Sequence, residues 1–366
     1  MSHRVPLLAL ALLLVGLAPA AAQVDARLMR EPDVSETRIT FVYGNDVWVV
    51  AKEGGTAHRL SSPAGPEGFP RFSPDGATIA FSGNYDGNVD VYTIPASGGV
   101  PARVTHHPET DRMVDWYPDG EALFWATERT SGTGRVSEFY RAAPAGGPAE
   151  KLPVAYGEIG AISPDGRTLA FTPSTRLFRT WKRYRGGLAA DIWLFDLEDG
   201  TAERVTDHPA NDEAPMWADG TLYFLSDRGP NQRHNLWAHD LTTGGKRQVT
   251  DFADVDVHVP AIGPSEIVFE AGGDLWLMDL ETEELRTVDV DVVTDRPAVR
   301  PRPEEVGDEI QHADVSPSGK RGLFQARGDI YTVPAEHGSV RPLTRTSGTA
   351  ERYPAWSPDG ERIGYW

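Results

Sequence analysis

The chain contains no cysteine. Disulfide staples, thiol nucleophiles and thiolate–metal sites are therefore excluded, and the fold must rest on burial and hydrogen bonding. Positive charge is also scarce: 35 Lys and Arg stand against 54 Asp and Glu, a formal charge of −19. A nucleic-acid binder needs a basic face that displaces phosphate counterions, so that class is excluded. Helical periodicity of useful length is missing outside the first residues. The most apolar run, residues 7–17, has eleven positions, where a membrane-spanning helix needs about 20.

That run follows His3 and Arg4 and precedes Ala20-Ala21-Ala22. A basic start, an apolar centre and small residues at the end make a signal peptide. Residues 1–22 are expected to be removed before Gln23, leaving a protein that is periplasmic or secreted and not inserted in the membrane. An uncleaved anchor is the alternative.

What the chain does have is a repeat. A turn marker stands at Phe72-Ser-Pro-Asp-Gly76, Trp116-Tyr-Pro-Asp-Gly120, Ile162-Ser-Pro-Asp-Gly166 and Trp356-Ser-Pro-Asp-Gly360, with degenerate copies at Trp217-Ala-Asp-Gly220, Ile262-Gly-Pro-Ser265 and Val315-Ser-Pro-Ser-Gly319. Pro second and Gly last suit a type I turn. A second marker follows downstream: Asp46-Val-Trp48, Asp90-Val-Tyr92, Glu138-Phe-Tyr140, Asp191-Ile-Trp193, Asn235-Leu-Trp237, Asp274-Leu-Trp276 and Asp329-Ile-Tyr331. A third closes most units: Arg59-Leu60, Arg103-Val-Thr105, Arg204-Val-Thr206, Gln248-Val-Thr250 and Pro342-Leu-Thr344.

Successive second markers lie 44, 48, 53, 44, 39 and 55 residues apart. Units of about 40–50 residues with four short strands are the blades of a β-propeller, an all-β fold. Ile192-Trp-Leu-Phe195 and Leu275-Trp-Leu-Met278 are apolar throughout, as strands covered on both faces are. The reading is a six-bladed ring of four-stranded antiparallel blades over residues 30–288. Residues 289–309, rich in acids and proline, read as a linker. Residues 310–366 read as the first blades of a second propeller, cut short inside a strand at Ile363-Gly-Tyr-Trp366. A single seven-bladed ring with one long loop is the alternative.

These markers resemble the N-terminal propellers of the tricorn protease family. The general repeat also suits TolB-like periplasmic rings and the propellers of prolyl oligopeptidases. Ile39-Thr-Phe-Val-Tyr-Gly-Asn-Asp-Val-Trp48, Trp181-Lys-Arg-Tyr-Arg-Gly-Gly187 and Phe224-Leu-Ser-Asp-Arg228 favour the tricorn family. The resemblance implies a six-bladed ring followed by a seven-bladed one, peptide substrates, a homo-oligomer, and serine-peptidase chemistry carried by domains absent here. The archaeal enzyme of the family is cytosolic, whereas this chain carries an export signal. The function expected is that of a propeller region gating and orienting peptides for proteolysis. The alternative is a non-enzymatic, TolB-like propeller that binds protein partners.

No Gly-x-Ser-x-Gly elbow, His-Glu-x-x-His pair or phosphate-binding loop occurs, so no catalytic residue, cofactor or metal ligand is assigned. Asp86-x-Asn88-x-Asp90 imitates the start of a calcium loop, but Val91 replaces the required glycine, and a turn is the better reading. His107-Pro108 and His208-Pro209 hold equivalent places in two repeats, as turn residues would. Residues 176–187 gather Arg176, Arg179, Lys182, Arg183 and Arg185 among aromatics. They read as an inserted loop whose aromatics pack on a blade while its arginines pair with surface acids, or as an anion-holding patch. Arg112 is the one candidate binding residue. In the family an arginine pair on the loop before the third blade's turn anchors the substrate's C-terminal carboxylate. Here that stretch is Thr110-Asp-Arg-Met113, with Asp111 in the place of the first arginine.

Overall fold

The computed structural model describes residues 23–61, 64–128, 136–293, 305–344, 346 and 349–366. The expected signal peptide and the proline-rich stretch 297–303 lie outside them. The chain separates into two compact units, divided between residues 295 and 296. Among the described residues only two single 3-10 turns, Arg176–Phe178 and Gly307–Glu309, interrupt an all-β structure.

Among the described residues the first unit holds six four-strand antiparallel meanders in sequence order, over residues 30–59, 67–103, 111–151, 159–204, 212–248 and 258–288, the first of them part of a larger sheet. Apolar side chains pack between neighbours. Val47 and Val49 of the first sheet meet Phe72, Ile79 and Phe81 of the second. Ile39 and Phe41 meet Val268, Leu275 and Leu277 of the sixth, so the last sheet packs on the first. Full burial of one such side chain contributes roughly 1.5–3 kcal/mol. The second strand of a blade is its most buried: Leu123–Thr127 is buried throughout. Third strands are less covered than their apolar runs predict, with Trp193 and Leu194 partly exposed. They lie one strand further from the middle of the ring.

The repeat markers now have a physical cause. The Asp90 carboxylate is wholly buried; it accepts from Thr105 Oγ1 at 3.2 Å and from Arg103 Nη2 at 2.6 Å. The same hydroxyl accepts from Val91 N at 2.9 Å. Asp191, Arg204 and Thr206 repeat the arrangement more loosely, with the hydroxyl at 3.3 Å and the guanidinium at 3.6 Å. In the fifth blade Asn235, Gln248 and Thr250 take the same places without charge, Thr250 Oγ1 donating to Asn235 Oδ1 at 2.9 Å. The motif thus locks the fourth strand to the start of the third. In the turn marker Gly76 has φ +67°, its N–H donates to Ser73 O at 2.7 Å, and Asp75 caps Ala77 N at 3.0 Å.

Two features were not expected from the sequence. The first is a clasp. Val290–Val293, inside the stretch read as a linker, is a strand that pairs in parallel with Gly55–Arg59, the outermost strand of the first blade. Gln23–Asp25 then pairs antiparallel with it, giving a six-stranded sheet. The second is a bulge in the first strand of four blades. Glu31, Phe69, Ala214 and Val259 have φ between +40° and +54°, each is followed by proline, and strand register shifts across each pair. Proline has no N–H to leave unpaired and is tolerated at such bulges.

The second unit contains a four-stranded meander, Ile310–Val315, Arg321–Ala326, Asp329–Pro334 and Arg341–Pro342, and a pair of short strands, Ala355–Trp356 and Ile363–Gly364. Its Asp314 Oδ2 accepts from Trp356 N at 2.8 Å. In the first unit Asp33 Oδ2 accepts from Phe72 N at 2.6 Å, joining the first blade to the second in the same manner.

Candidate functional site

The first strands of the first unit's sheets line an axial channel. All run in one direction, so their beginnings meet at one mouth and the Ser-Pro-Asp-Gly turns gather at the other. At the turn end Pro74, Pro118, Pro164 and Pro264 rim a space of about 310 Å³. In the middle the channel narrows to about 60 Å³, with walls from all six first strands. Arg71 bridges this constriction, donating to Val114 O at 3.2 Å, Pro70 O at 3.0 Å and Pro32 O at 3.4 Å. Asp33 and Asp115 share the narrow part with it. Burial pushes Asp33 up to about 7 and Asp115 up to about 6, although the Arg71 charge and backbone donors pull both down. Arg71 and these two carboxyl groups thus line the middle of the channel.

Beyond Arg71 the channel widens into a cavity of about 200 Å³. Its roof is the insertion between Thr168–Thr172 and Trp193–Asp196 of the fourth blade, which crosses the mouth as a strap. Thr175 caps the turn Arg176–Phe178 by accepting from Leu177 N at 3.1 Å. The strap's cations then seek the acids beneath it. Arg179 forks onto Glu158 at 2.6 and 2.7 Å. Arg176 reaches Glu213 through its backbone N–H at 2.9 Å and Nε at 3.3 Å, while Thr175 Oγ1 donates to the same carboxylate. Lys182 pairs with Asp256 at 3.2 Å and Arg185 with Asp227 at 2.8 Å. The Phe178 ring meets Phe69 of the second blade edge-on, centroids 5.7 Å apart. Of the two readings of residues 176–187, the inserted loop with paired arginines is the one observed. The acids are buried ones of the fourth blade and of the two that follow it, not surface groups.

Arg112 lies in the first strand of the third blade, Asp111–Trp116, and not in a loop. Its guanidinium carbon stands 3.8 Å from the Phe178 centroid. Among the described residues it has no hydrogen-bond acceptor. Burial depresses its pKa, while Glu158, Glu128 and Glu31 act against that. Asp111 beside it is fully buried and cannot supply a second cation.

Sequence reasoning missed Glu158, Glu213 and His234, which carry no motif. His234 is 1% exposed. Its Nδ1 receives Arg176 Nη2 at 2.8 Å and Nε at 3.1 Å. A guanidinium only donates, so Nδ1 accepts and the ring proton sits on Nε2 by assignment. Burial, then the Arg176 charge, holds its pKa well below the ordinary range, so the ring is neutral. The calcium-like triplet is occupied otherwise: Arg103 stands between Asp86 at 3.4 Å and Asp90 at 2.6 Å, a guanidinium in the place of a metal cation. His107 and His208 each accept at Nδ1 from the N–H two residues on, both at 3.1 Å, as turn residues.

Consecutive blades packed around a channel, with the cavity at one mouth roofed by an insertion, define a β-propeller with an axial cavity. The chain belongs to the tricorn protease family: residues 26–284 match the tricorn protease N-terminal beta propeller domain. It is 30% identical over 353 residues to tricorn protease homolog 1 of Streptomyces coelicolor, covering 92% of this chain and 32% of that protein. It is 29% identical over 352 residues to putative tricorn protease homolog 2 of the same organism, covering 92% of this chain and 29% of that protein. The crystal structure of the tricorn protease superposes with a TM-score of 0.67 at 18% identity, covering 93% of this chain and 41% of that one, a likeness of fold. The chain spans about a third of the length of the curated relatives it matches.

Proposed function

We propose that the chain is the N-terminal propeller region of an exported tricorn-like serine peptidase. Residues 30–288 are a six-bladed ring, and a second ring, seven-bladed by family resemblance, starts near residue 310. The first ring admits peptides and orients them for a catalytic domain carried by the rest of a longer protein. The chain itself cuts nothing. The family match supports the setting, and the Asp314–Trp356 link, which repeats Asp33–Phe72, supports a second ring.

Arg112 is the observation that carries the reading. A guanidinium held on an aromatic face, with its fork unengaged among the described residues, at the mouth of a channel, suits a carboxylate that arrives from outside. Residues 1–22 direct export, so material from the periplasm or medium is expected to begin at Gln23; a chain beginning at Met1 there would refute export. For the binding role, calorimetric titration compares a short peptide with its C-terminal amide. The free acid is expected to bind and the amide not, and Arg112→Ala should abolish the difference. Equal binding of acid and amide would overturn the reading.

A further inference from the structure

The cavity under the strap has more shape than an anion anchor needs. Beside Arg112 its wall is formed by Met113, Val114, Leu225, Val259, Pro260 and Leu177. Its about 200 Å³ falls below the roughly 300–1,000 Å³ of pockets that enclose a whole drug-sized ligand. It therefore suits one side chain with its adjoining backbone and no more.

The polar groups narrow the choice further. Glu158 and Glu213 are already engaged by Arg179, Arg176 and Thr175, so neither is free to pair with Arg112 or to receive an incoming amine. A basic side chain would meet Arg71, Arg112, Arg176 and Arg179 around the same space. An acidic one would find Arg176 and Arg179 already paired with Glu213 and Glu158 and Arg71 already bound to backbone carbonyls, leaving only Arg112, which the terminal carboxylate takes. His234 Nε2–H, by contrast, is buried and without an acceptor among the described residues, and the ring lines the cavity. A buried donor left unpaired costs about 1–3 kcal/mol, which a ligand oxygen would relieve.

We infer that this cavity is a specificity pocket for peptides ending in an apolar residue. The terminal carboxylate lies at Arg112, the apolar side chain lies against Met113, Leu225 and Val259, and His234 Nε2–H donates to a carbonyl or carboxylate oxygen of the same terminal residue. The inference rests on the Arg112 reading above and adds to it the class of residue accepted. His234 is a binding residue here, and donation from Arg176 to Nδ1 keeps the ring proton on Nε2.

The test uses the full chain and the peptides Gly-Gly-Gly-X, with X as Leu, Phe, Gly, Asp or Lys, each as free acid and as amide. The Leu and Phe acids are expected to bind at least ten-fold more tightly than the Gly, Asp and Lys acids. His234→Phe should weaken the Leu acid about ten-fold, and His234→Gln, which restores a donor amide, should recover part of the loss. Thermal melts of both variants check folding, and the wild-type series stands independently of them. Equal affinity for all five acids would sink the apolar pocket while leaving Arg112 as a carboxylate anchor. Indifference to amidation would sink the anchor itself. Absence of binding by every peptide would sink both.

Discussion

Arg112 sits on the face of Phe178, so a strand of the third blade is tied to a strap that springs from the fourth. Desolvated cation–π contacts contribute up to about 2 kcal/mol. Phe178→Leu keeps the bulk and removes the ring's quadrupole. It is expected to lower stability by about 1–2 kcal/mol in urea unfolding and to weaken carboxylate binding several-fold. Unchanged values on both counts would show that the contact is incidental.

The buried set Thr175, Arg176, Glu213 and His234 should be far more sensitive. Burial raises the Glu213 pKa, and the Thr175 and Arg176 donors act against it by holding the charged form. Glu213→Ala strands the Arg176 charge under the strap. A loss of about 3–5 kcal/mol is expected in equilibrium unfolding of the first unit. A loss under 1 kcal/mol would mean that water or a neighbouring group replaces the carboxylate.

Thr105 tests the blade lock. Its hydroxyl serves both Val91 N and Asp90, so Thr105→Val removes both hydrogen bonds at nearly constant volume. The expected cost is about 1–3 kcal/mol because a buried carboxylate and a buried N–H each lose a partner. Hydrogen exchange at Val91 should accelerate with it; protection as in the wild type would contradict the role given to the hydroxyl.

Asp33 makes stability depend on pH in a stated direction. Its folded pKa of about 7 lies above the ordinary 3.8. Between those values the folded state keeps a proton that the unfolded chain has released, so stability falls as pH rises. Asp115 at about 6 and Glu270 at about 7 act the same way, whereas neutral, buried His234 opposes them below pH 6.5. The Asp33→Asn variant isolates one contribution. Its melting temperature relative to the wild type should climb by at least about 2 °C from pH 5 to pH 8. A difference that stays flat would remove Asp33 from the account.

Limited proteolysis examines the two units. The clasp places Val290–Val293 in a sheet, so a resistant core should run through Val293 and end before Ile310, with mass mapping locating early cuts among residues 294–309. Cleavage before Val290 that leaves the core otherwise intact would argue against the clasp. If residues 329–344 resist as long as residues 90–105, the two-unit behaviour is refuted.

Much of the blade architecture was legible because its determinants are short-range and repeat. Ser73, Asp75 and Gly76 form one turn, and Asp90, Arg103 and Thr105 lie within one blade. The same markers pointed away from the cavity, since the Ser-Pro-Asp-Gly turns crowd the opposite mouth of the channel. Glu158, Glu213 and His234 were invisible for a different reason. Their partners are 17 to 58 residues distant in sequence, and nothing local distinguishes them from surface polar residues. One signal was available and went unused: Glu31-Pro32, Phe69-Pro70, Ala214-Pro215, Val259-Pro260 and Tyr353-Pro354 recur at the repeat period, and the first four mark the bulged strands that wall the channel. The strand Val290–Val293 carried no local sign within residues 289–309 because its partners, Gly55–Arg59 and Gln23–Asp25, both lie over 230 residues earlier.

Every blade of the first unit is one uninterrupted stretch of chain, and the clasp grips the outside of the first blade without lending it a missing strand. Duplicating or deleting one repeat in the gene would therefore add or remove a whole sheet, with every strand still paired to its own neighbours. The fastening would be unaffected, because it is indifferent to how many sheets lie between its two ends. Ring circumference, and with it the bore of the channel, is in this sense a heritable quantity that can change in single steps, independently of the strap that roofs the mouth.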